Sequence, residues 1–212
     1  MNQAVRTRVR PAERRTQAQR RAESEHRILR AAAELFAEQG YVNTTMEQIG
    51  TRAGFSAALV ARKFGSKPGV IEALLNEIRR NTTAVMEQGD DPSIIDVIRN
   101  YVGLIADGNV WSRALYVLMA ESLGPLRDKA NLFAQHNRTF MAAIANRIKA
   151  AQRAGRADAS VKPRVLAAEV LSRIRGATLL WLIDPEGIDF ATLSEDLIES
   201  LRAKLKFKDS KF

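Results

Sequence analysis

Arg62 and Lys63 stand side by side near the end of AALVARKF, residues 57–64, a segment otherwise made of alanines and larger apolar residues. A guanidinium makes a paired contact to guanine O6 and N7 in the major groove, or meets phosphate; an ammonium acts on phosphate as a point charge. Thr44, Thr45 and Lys67 fall at expected helix amino termini. There, hydroxyls, free N–H groups and an ammonium can clamp phosphate oxygens. Ala57, Ala58 and Ala61 offer methyl contact to thymine and close approach, but no hydrogen bonds. This chemistry is recognition of duplex DNA. Catalysis has little to work with: His26 and His136 are the two histidines, cysteine is absent, and no metal-spaced cluster, P-loop or glycine-rich nucleotide turn occurs. No catalytic residue, metal or cofactor is expected. An all-α enzyme is the disfavoured class, since isolated Asp and Glu residues read as caps and solvated faces.

Presenting these residues requires a particular pair of helices. Thr44 caps a helix, with Glu47 three residues on completing a capping box. That helix buries Met46, Ile49 and Ala53 and ends at Gly54. Ser56 then caps Ala57 to about Phe64. Gly50 supplies the small residue where two helices cross, Gly54 the turn, and Ile49, Phe55 and Val60 the apolar contacts that set the crossing angle. The second helix presents Ala57, Ala58, Ala61 and Arg62, with Leu59 and Lys63 at the borders. This is the shape of a helix-turn-helix over residues 45–64, whose second helix enters the major groove. An ordinary helical hairpin with solvated charges is the plain alternative.

The rest of the chain is helical by pattern. A helix from about Ala22, apolar at Ile28, Ala32, Leu35 and Phe36, stops at Gly40; Ser66 and Pro68 open another to roughly Glu87. GDDPS (89–93) is a break. Further helices carry Ile94 to Ile105, Trp111 to Met119, Leu126 to Gln152, Pro163 to Trp181 and Phe190 to Leu201. No alternating strand pattern or internal repeat is present. The fold class expected is all-α with about nine helices. The division expected is a basic, disordered or partly helical arm (1–21), a DNA-binding domain (22–82) and a ligand-binding and dimerisation bundle (83–212).

Charge is distributed to match. The chain of 212 residues carries a formal +9, and residues 1–22 hold seven arginines against one glutamate. Residues 81–212 are nearly balanced, with 18 basic and 16 acidic side chains. A cationic end on a nearly neutral body suits a nucleic-acid partner, a solubilising tail being the bland reading. A membrane partner is not expected, because no apolar face accompanies the arginines and no apolar run is long enough to span. The absence of cysteine and of a signal-peptide core fits a cytoplasmic protein. Residues Arg6 to Arg21 are expected to enter or follow the minor groove, so that removing the arm lowers affinity and flattens its salt dependence.

The order Gly40-Tyr41, Thr44-Thr45-Met46, Ile49, Ala53-Gly54-Phe55-Ser56, Phe64 and Ser66-Lys67 resembles the amino-terminal domain of TetR-type (tetracycline-repressor-like) transcriptional regulators. The likeness covers about residues 24–75. It implies phosphate contacts at Thr44, Thr45 and Lys67, a cap at Ser56, and a recognition helix from Ala57 to Lys63. Two departures stand out: Ala61 replaces a tyrosine that usually touches the DNA backbone, and Ala58 replaces a frequent glycine. The resemblance also implies an inducer pocket and a four-helix interface between the last two helices of two subunits. Ala167, Ala168, Gly176 and Ala177 would permit close approach, and Leu193, Leu197 and Leu201 supply an apolar stripe.

For the pocket, Trp111, Leu115, Met119, Phe133, Asn137, Phe140, Met141 and Trp181 are the candidate lining. Asn137 and His136 interrupt an apolar helix face, as do Arg173 and Arg175 on another; satisfied core or interface groups are the bland reading of such residues. The function expected is a homodimeric repressor released from a palindromic operator by a small, largely apolar effector. The alternative is a helix-turn-helix protein without an inducer, architectural or protein-controlled.

Overall fold

The structure, a computed structural model, describes residues 16–86 and 93–206. Expectations for most of the basic arm, and for the break at 89–92, lie outside the described residues. Within them the chain is all-helical: α1 (Gln17–Gln39), α2 (Met46–Ala53), α3 (Ala57–Phe64), α4 (Lys67–Met86), α5 (Ile94–Ala106), α6 (Val110–Glu121), a 3₁₀ turn (Arg127–Lys129), α7 (Ala130–Arg153), α8 (Pro163–Ile183) and α9 (Phe190–Leu205).

Two boundaries differ from the sequence reading, each for a local reason. Helix α1 begins at Gln17 instead of about Ala22. Thr16 accepts from the Gln19 amide while the Gln19 side chain accepts from the Thr16 amide, a reciprocal cap that starts the helix before its first apolar residue. Arg20 and Arg21 therefore ride on α1. Helix α7 begins at Ala130 instead of Leu126. The Leu126 amide donates back to the Glu121 carbonyl at 2.9 Å and its side chain is buried, which commits residues 122–129 to turns.

Apolar side chains gather into two cores. The first joins α1 to α4: Ile28, Leu29, Phe36, Ile49, Val60, Ile71 and Leu74 are all sealed from solvent. Ala114, Leu115 and Leu118 of α6, with Leu126 and Phe133, complete it, so this core takes residues from both sides of the expected boundary at 82 and 83. The second core joins α5, α7, α8 and α9 through Ile98, Tyr101, Phe140, Ile144, Val170, Ile174, Leu197 and Leu201. Helix α4 adjoins both halves, packing against α1 and α3 near its start and against α5, α6 and α7 beyond.

The carboxy-terminal end of helix α8, residues 179–183, is apolar on every side. The inner face of the helix is spent on the second core, yet Val165, Leu179, Leu180 and Ile183 stay exposed, as does Leu193 of α9. Of the residues expected to meet a second subunit, Ala167, Leu197 and Leu201 instead turn into their own core. Gly176 and Leu193 remain outward and Ala168 and Ala177 are half-buried. Arg173 is committed to Asp196, and Glu169 to Lys204, ion pairs that tie α8 to α9.

Candidate nucleic-acid interface

Glycine chemistry sets the angle between α2 and α3. A Cβ on Gly50 would lie 2.9 Å from the Phe55 carbonyl oxygen and 3.0 Å from the Ala57 amide nitrogen, so only glycine fits this crossing. Gly54 ends α2 with φ 75°, in the left-handed region, and its amide bonds back to Gly50 and Thr51. Arg27 of α1 donates to the Ala53 carbonyl at 2.8 Å, and its guanidinium lies 4.8 Å from the centre of the Phe55 ring. The last turn of α2 is thus held by a cation that also packs on the turn's aromatic residue. Val60 and Ile49, both fully buried, lock α3 from beneath.

What α3 leaves outside is chemically sparse. Ser56 caps it, accepting from the Leu59 amide at 3.3 Å. Ala58, Ala61 and Arg62 are exposed; Ala57, Leu59 and Lys63 are half-buried. Arg62 makes no ion pair or hydrogen bond among the described residues, so its guanidinium is available to an external partner. Lys63 turns sideways, its Nζ 3.3 Å from the Arg21 carbonyl oxygen at the start of α1.

The cap of α2 falls at Thr45, with Gln48 as reciprocal partner at 2.8 and 3.1 Å, one residue later than expected. Thr44 is fully buried and donates to the Gly40 carbonyl at 2.6 Å. Its hydroxyl is spent inside the fold, so the exposed threonine at this helix start is Thr45. Lys67 donates to the carbonyls of Tyr41 and Thr44, both at 2.7 Å, and sits 4.0 Å from the centre of the Tyr41 ring. Partial burial lowers its pKa from the ordinary lysine value, opposed by the Glu121 carboxylate. An ammonium has three N–H groups, so one remains for a phosphate while two fix the loop before α2 to the start of α4. Gly69 permits the tight α3–α4 turn, since a Cβ there would fall 2.0 Å from the Phe64 carbonyl oxygen.

The candidate ligand residues are not brought together. Trp111, Leu115, Met119 and Phe133 belong to the first core; Phe140, Met141 and Trp181 belong to the second. Trp181 stacks on Phe190, with ring centres 5.1 Å apart. It borders a space of about 120 Å³ with Ile105, Ser112 and Thr178. Trp111 and Leu115 line a different space of about 10 Å³, shared with Tyr101 and Tyr116. Asn137 accepts from Arg175 at 3.4 Å. His136 is buried, and its pKa is lowered to about 4 by desolvation first, then by the nearby charges of Arg175 and Arg79, which keeps the imidazole neutral at physiological pH. Among the described residues no group of three His, Cys, Asp or Glu side chains is placed to hold a metal. No helix among them is long and apolar enough to cross a membrane.

Several positioning residues escaped the sequence reading. T-x-x-E at 44–47 and T-x-x-Q at 45–48 both satisfy the capping rule, and only burial of Thr44 chooses between them. Arg27 carried no local signal, because its partners Ala53 and Phe55 arise from tertiary approach. The same holds for Glu121 at the end of α6, whose carboxylate accepts from the Tyr41 amide at 2.7 Å.

Residues 28–74 match the family described as bacterial regulatory proteins, tetR family. The chain is 36% identical to YvkB of Bacillus subtilis (strain 168), an uncharacterised HTH-type transcriptional regulator, over 34% of this chain and 38% of that protein. The alignment thus spans well under half of that relative. A TetR-family transcriptional regulator structure from Rhodococcus sp. superimposes with a TM-score of 0.75 at 25% identity, covering 87% of this chain and 99% of that one. SmeT, the repressor of the Stenotrophomonas maltophilia multidrug efflux pump SmeDEF, shares the fold in its complex with triclosan. That match has a TM-score of 0.75 at 20% identity, over 90% of this chain and 94% of SmeT. Residues 28–74, with a helix-turn-helix built on Gly50 and Gly54, thus match the amino-terminal domain of the tetR family, and the fold of TetR-family structures runs along most of the chain.

Proposed function

We propose that the chain is a homodimeric transcriptional repressor that binds a two-fold symmetric DNA operator through α3 and is released by a small, largely apolar effector. The observation that carries the DNA half is the state of α3. The helix is fixed beneath by Val60, capped by Ser56 and held at its end by the glycine turn into α4, while Arg62 stands exposed without a partner among the described residues. One such helix reads few bases, and a two-fold pair doubles the site. The outward side chains Val165, Leu179, Leu180, Ile183 and Leu193 support pairing through α8 and α9. A groove of about 270 Å³ beside them, lined by Gly176, Ala177, Leu180 and Leu193, would receive the partner's side chains.

Helix α4 supports the release half. Lys67 at its start holds the loop before α2, and Ile78 and Thr82 farther along face the space lined by Tyr101 and Tyr116. A ligand that prefers a shifted α4 weakens DNA binding by the ratio of its affinities for the two arrangements. SmeT, seen with triclosan and described as a repressor, is a fold-level precedent.

One observation favours a second reading, a helix-turn-helix protein without an inducer: the spaces lined by the expected pocket residues are about 10 and 120 Å³, below the size of ordinary ligand sites. Selection of bound duplexes from a random pool, followed by titration of the best duplex against the full chain, tests the leading proposal. The expected product is an inverted repeat bound by two chains; an asymmetric site, or no enrichment at all, refutes it. Operator binding that no small molecule alters supports the second reading.

A further inference from the structure

Arg175 is a cation without an anion. It points from α8 toward α5, α6 and α7, and no carboxylate among the described residues pairs with it. Its two hydrogen bonds are long and go to neutral groups: Nη1 to the Tyr101 hydroxyl at 3.5 Å and Nη2 to Asn137 Oδ1 at 3.4 Å. Its Nε is shut off from solvent with no partner among the described residues. The Tyr116 hydroxyl is likewise buried and unpartnered, and the guanidinium carbon lies 5.1 Å from the centre of the Tyr116 ring. His136, the neighbour of Asn137, is held neutral and so adds no like charge beside Arg175.

Such a cluster is costly as architecture. Two sealed donors are left unmade and a charge is only half solvated, where a methionine would pack without either penalty. An arginine that serves structure is normally paired, as Arg52 is with Glu38 and Arg173 with Asp196. The arrangement is complementary to a planar anion. A carboxylate facing a guanidinium accepts two parallel charge-assisted bonds, each shorter and stronger than those at 3.4 and 3.5 Å, and can take the Tyr116 hydroxyl proton as a further donor.

We infer that the effector is an organic carboxylate, its carboxylate group held by Arg175 with Tyr101 and Tyr116 and its apolar body directed among Ile78, Trp111 and Leu115. The inference rests on the reading of the carboxy-terminal helices as an effector domain, and it names the chemistry that domain selects. The space for the body is pinched to about 10 Å³, so occupancy must part α4 from α6. Seating the anion therefore moves the helix that carries Lys67.

The test is thermal unfolding of the full chain with sodium benzoate, sodium octanoate and benzamide at millimolar concentration, all at one ionic strength set by sodium chloride. At a concentration well above Kd, at least one carboxylate raises the wild-type Tm by about 3 °C, and benzamide does not. Arg175→Met has a higher Tm than wild type without ligand and loses the carboxylate response. Tyr116→Phe, which should fold even if Arg175→Met does not, needs a several-fold higher carboxylate concentration for half the shift. The assignment is overturned if neither carboxylate acts, if benzamide acts equally, if both variants respond as wild type does, or if Arg175→Met folds with a lower ligand-free Tm. Operator binding by ligand-free wild-type protein is measured separately. Its absence removes the repressor reading and leaves the anion site standing. Carboxylate binding that leaves operator affinity unchanged removes only the release step.

Discussion

Thr45 and His136 show how single side chains carry opposite obligations. Thr45 closes the first turn of α2 through the Gln48 box while standing exposed at the edge of the DNA-facing surface. Thr45→Ala removes one side of that cap and should cost about 1 kcal/mol of stability. The same change should weaken operator binding without altering base preference, a comparison that unfolding and duplex titration together make. His136 ties stability to pH. Its folded pKa of about 4 lies below the ordinary histidine value, so the unfolded chain binds more protons between the two. The histidine contribution is complete above about pH 6.5 and is lost as pH falls toward 4, up to roughly 3 kcal/mol at 1.36 kcal/mol per unit. His136→Gln should flatten Tm across that window relative to wild type, while an unchanged slope would assign the acid sensitivity elsewhere.

At the level of helices, the proposed function has α3 and the start of α4 divide specificity from affinity. Arg62→Ala should change which bases are preferred at one position of each half-site, with a loss of about 1–3 kcal/mol confined to the favoured base. Lys67→Ala should weaken all duplexes alike and also lower stability, because it strands the Tyr41 and Thr44 carbonyls. Equal, sequence-blind losses from both variants would refute the division. Much of this pair of helices was legible in the chain. Gly50, Gly54, Ile49, Val60 and Ser56 act through neighbours a few residues away, and short-range spacing records that. The buried Thr44, the sideways Lys63 and the Arg27 tie were not legible, since each depends on α1 lying against α2 and α3. The ligand residues are scattered for a related reason: apolar periodicity marks a buried face but does not say which core buries it. The two cores meet along α4, and the aromatic residues divided between them. The chemically unusual groups are Tyr116 and Arg175, the latter flagged by periodicity only as a polar interruption.

For the molecule as a whole, the exposed part of α8 is a prediction about assembly. A helix end apolar on every side, as α8 is over residues 179–183, is stable in water only when both faces are covered. Ile183→Glu combined with Leu180→Glu should leave the chain folded, because both side chains lie outside its cores, while shifting sedimentation from two chains to one. Operator affinity should fall with it. A double variant that sediments unchanged would place the interface elsewhere. Within the chain, the Glu121 carboxylate at the Tyr41 amide and the two Lys67 bonds join the reading head to α6 and α4. The head is therefore anchored to the two helices that an effector between them would separate.

On the proposed reading of α3 as the DNA-recognition helix, its alanine surface has a consequence for life inside a genome. Ala58 and Ala61 cannot reject a wrong base by leaving a polar group unpaired, so the positions they face should tolerate substitution. A reader with few discriminating contacts has many near-matches competing for it, and the occupancy of its true site depends on how many copies of the protein are present as much as on Kd. Such a regulator should be sensitive to its own abundance, and its target range should widen readily. Exchanging Ala58 or Ala61 for asparagine or glutamine would give the helix base contacts it now lacks, which makes this surface a ready starting point for retargeting.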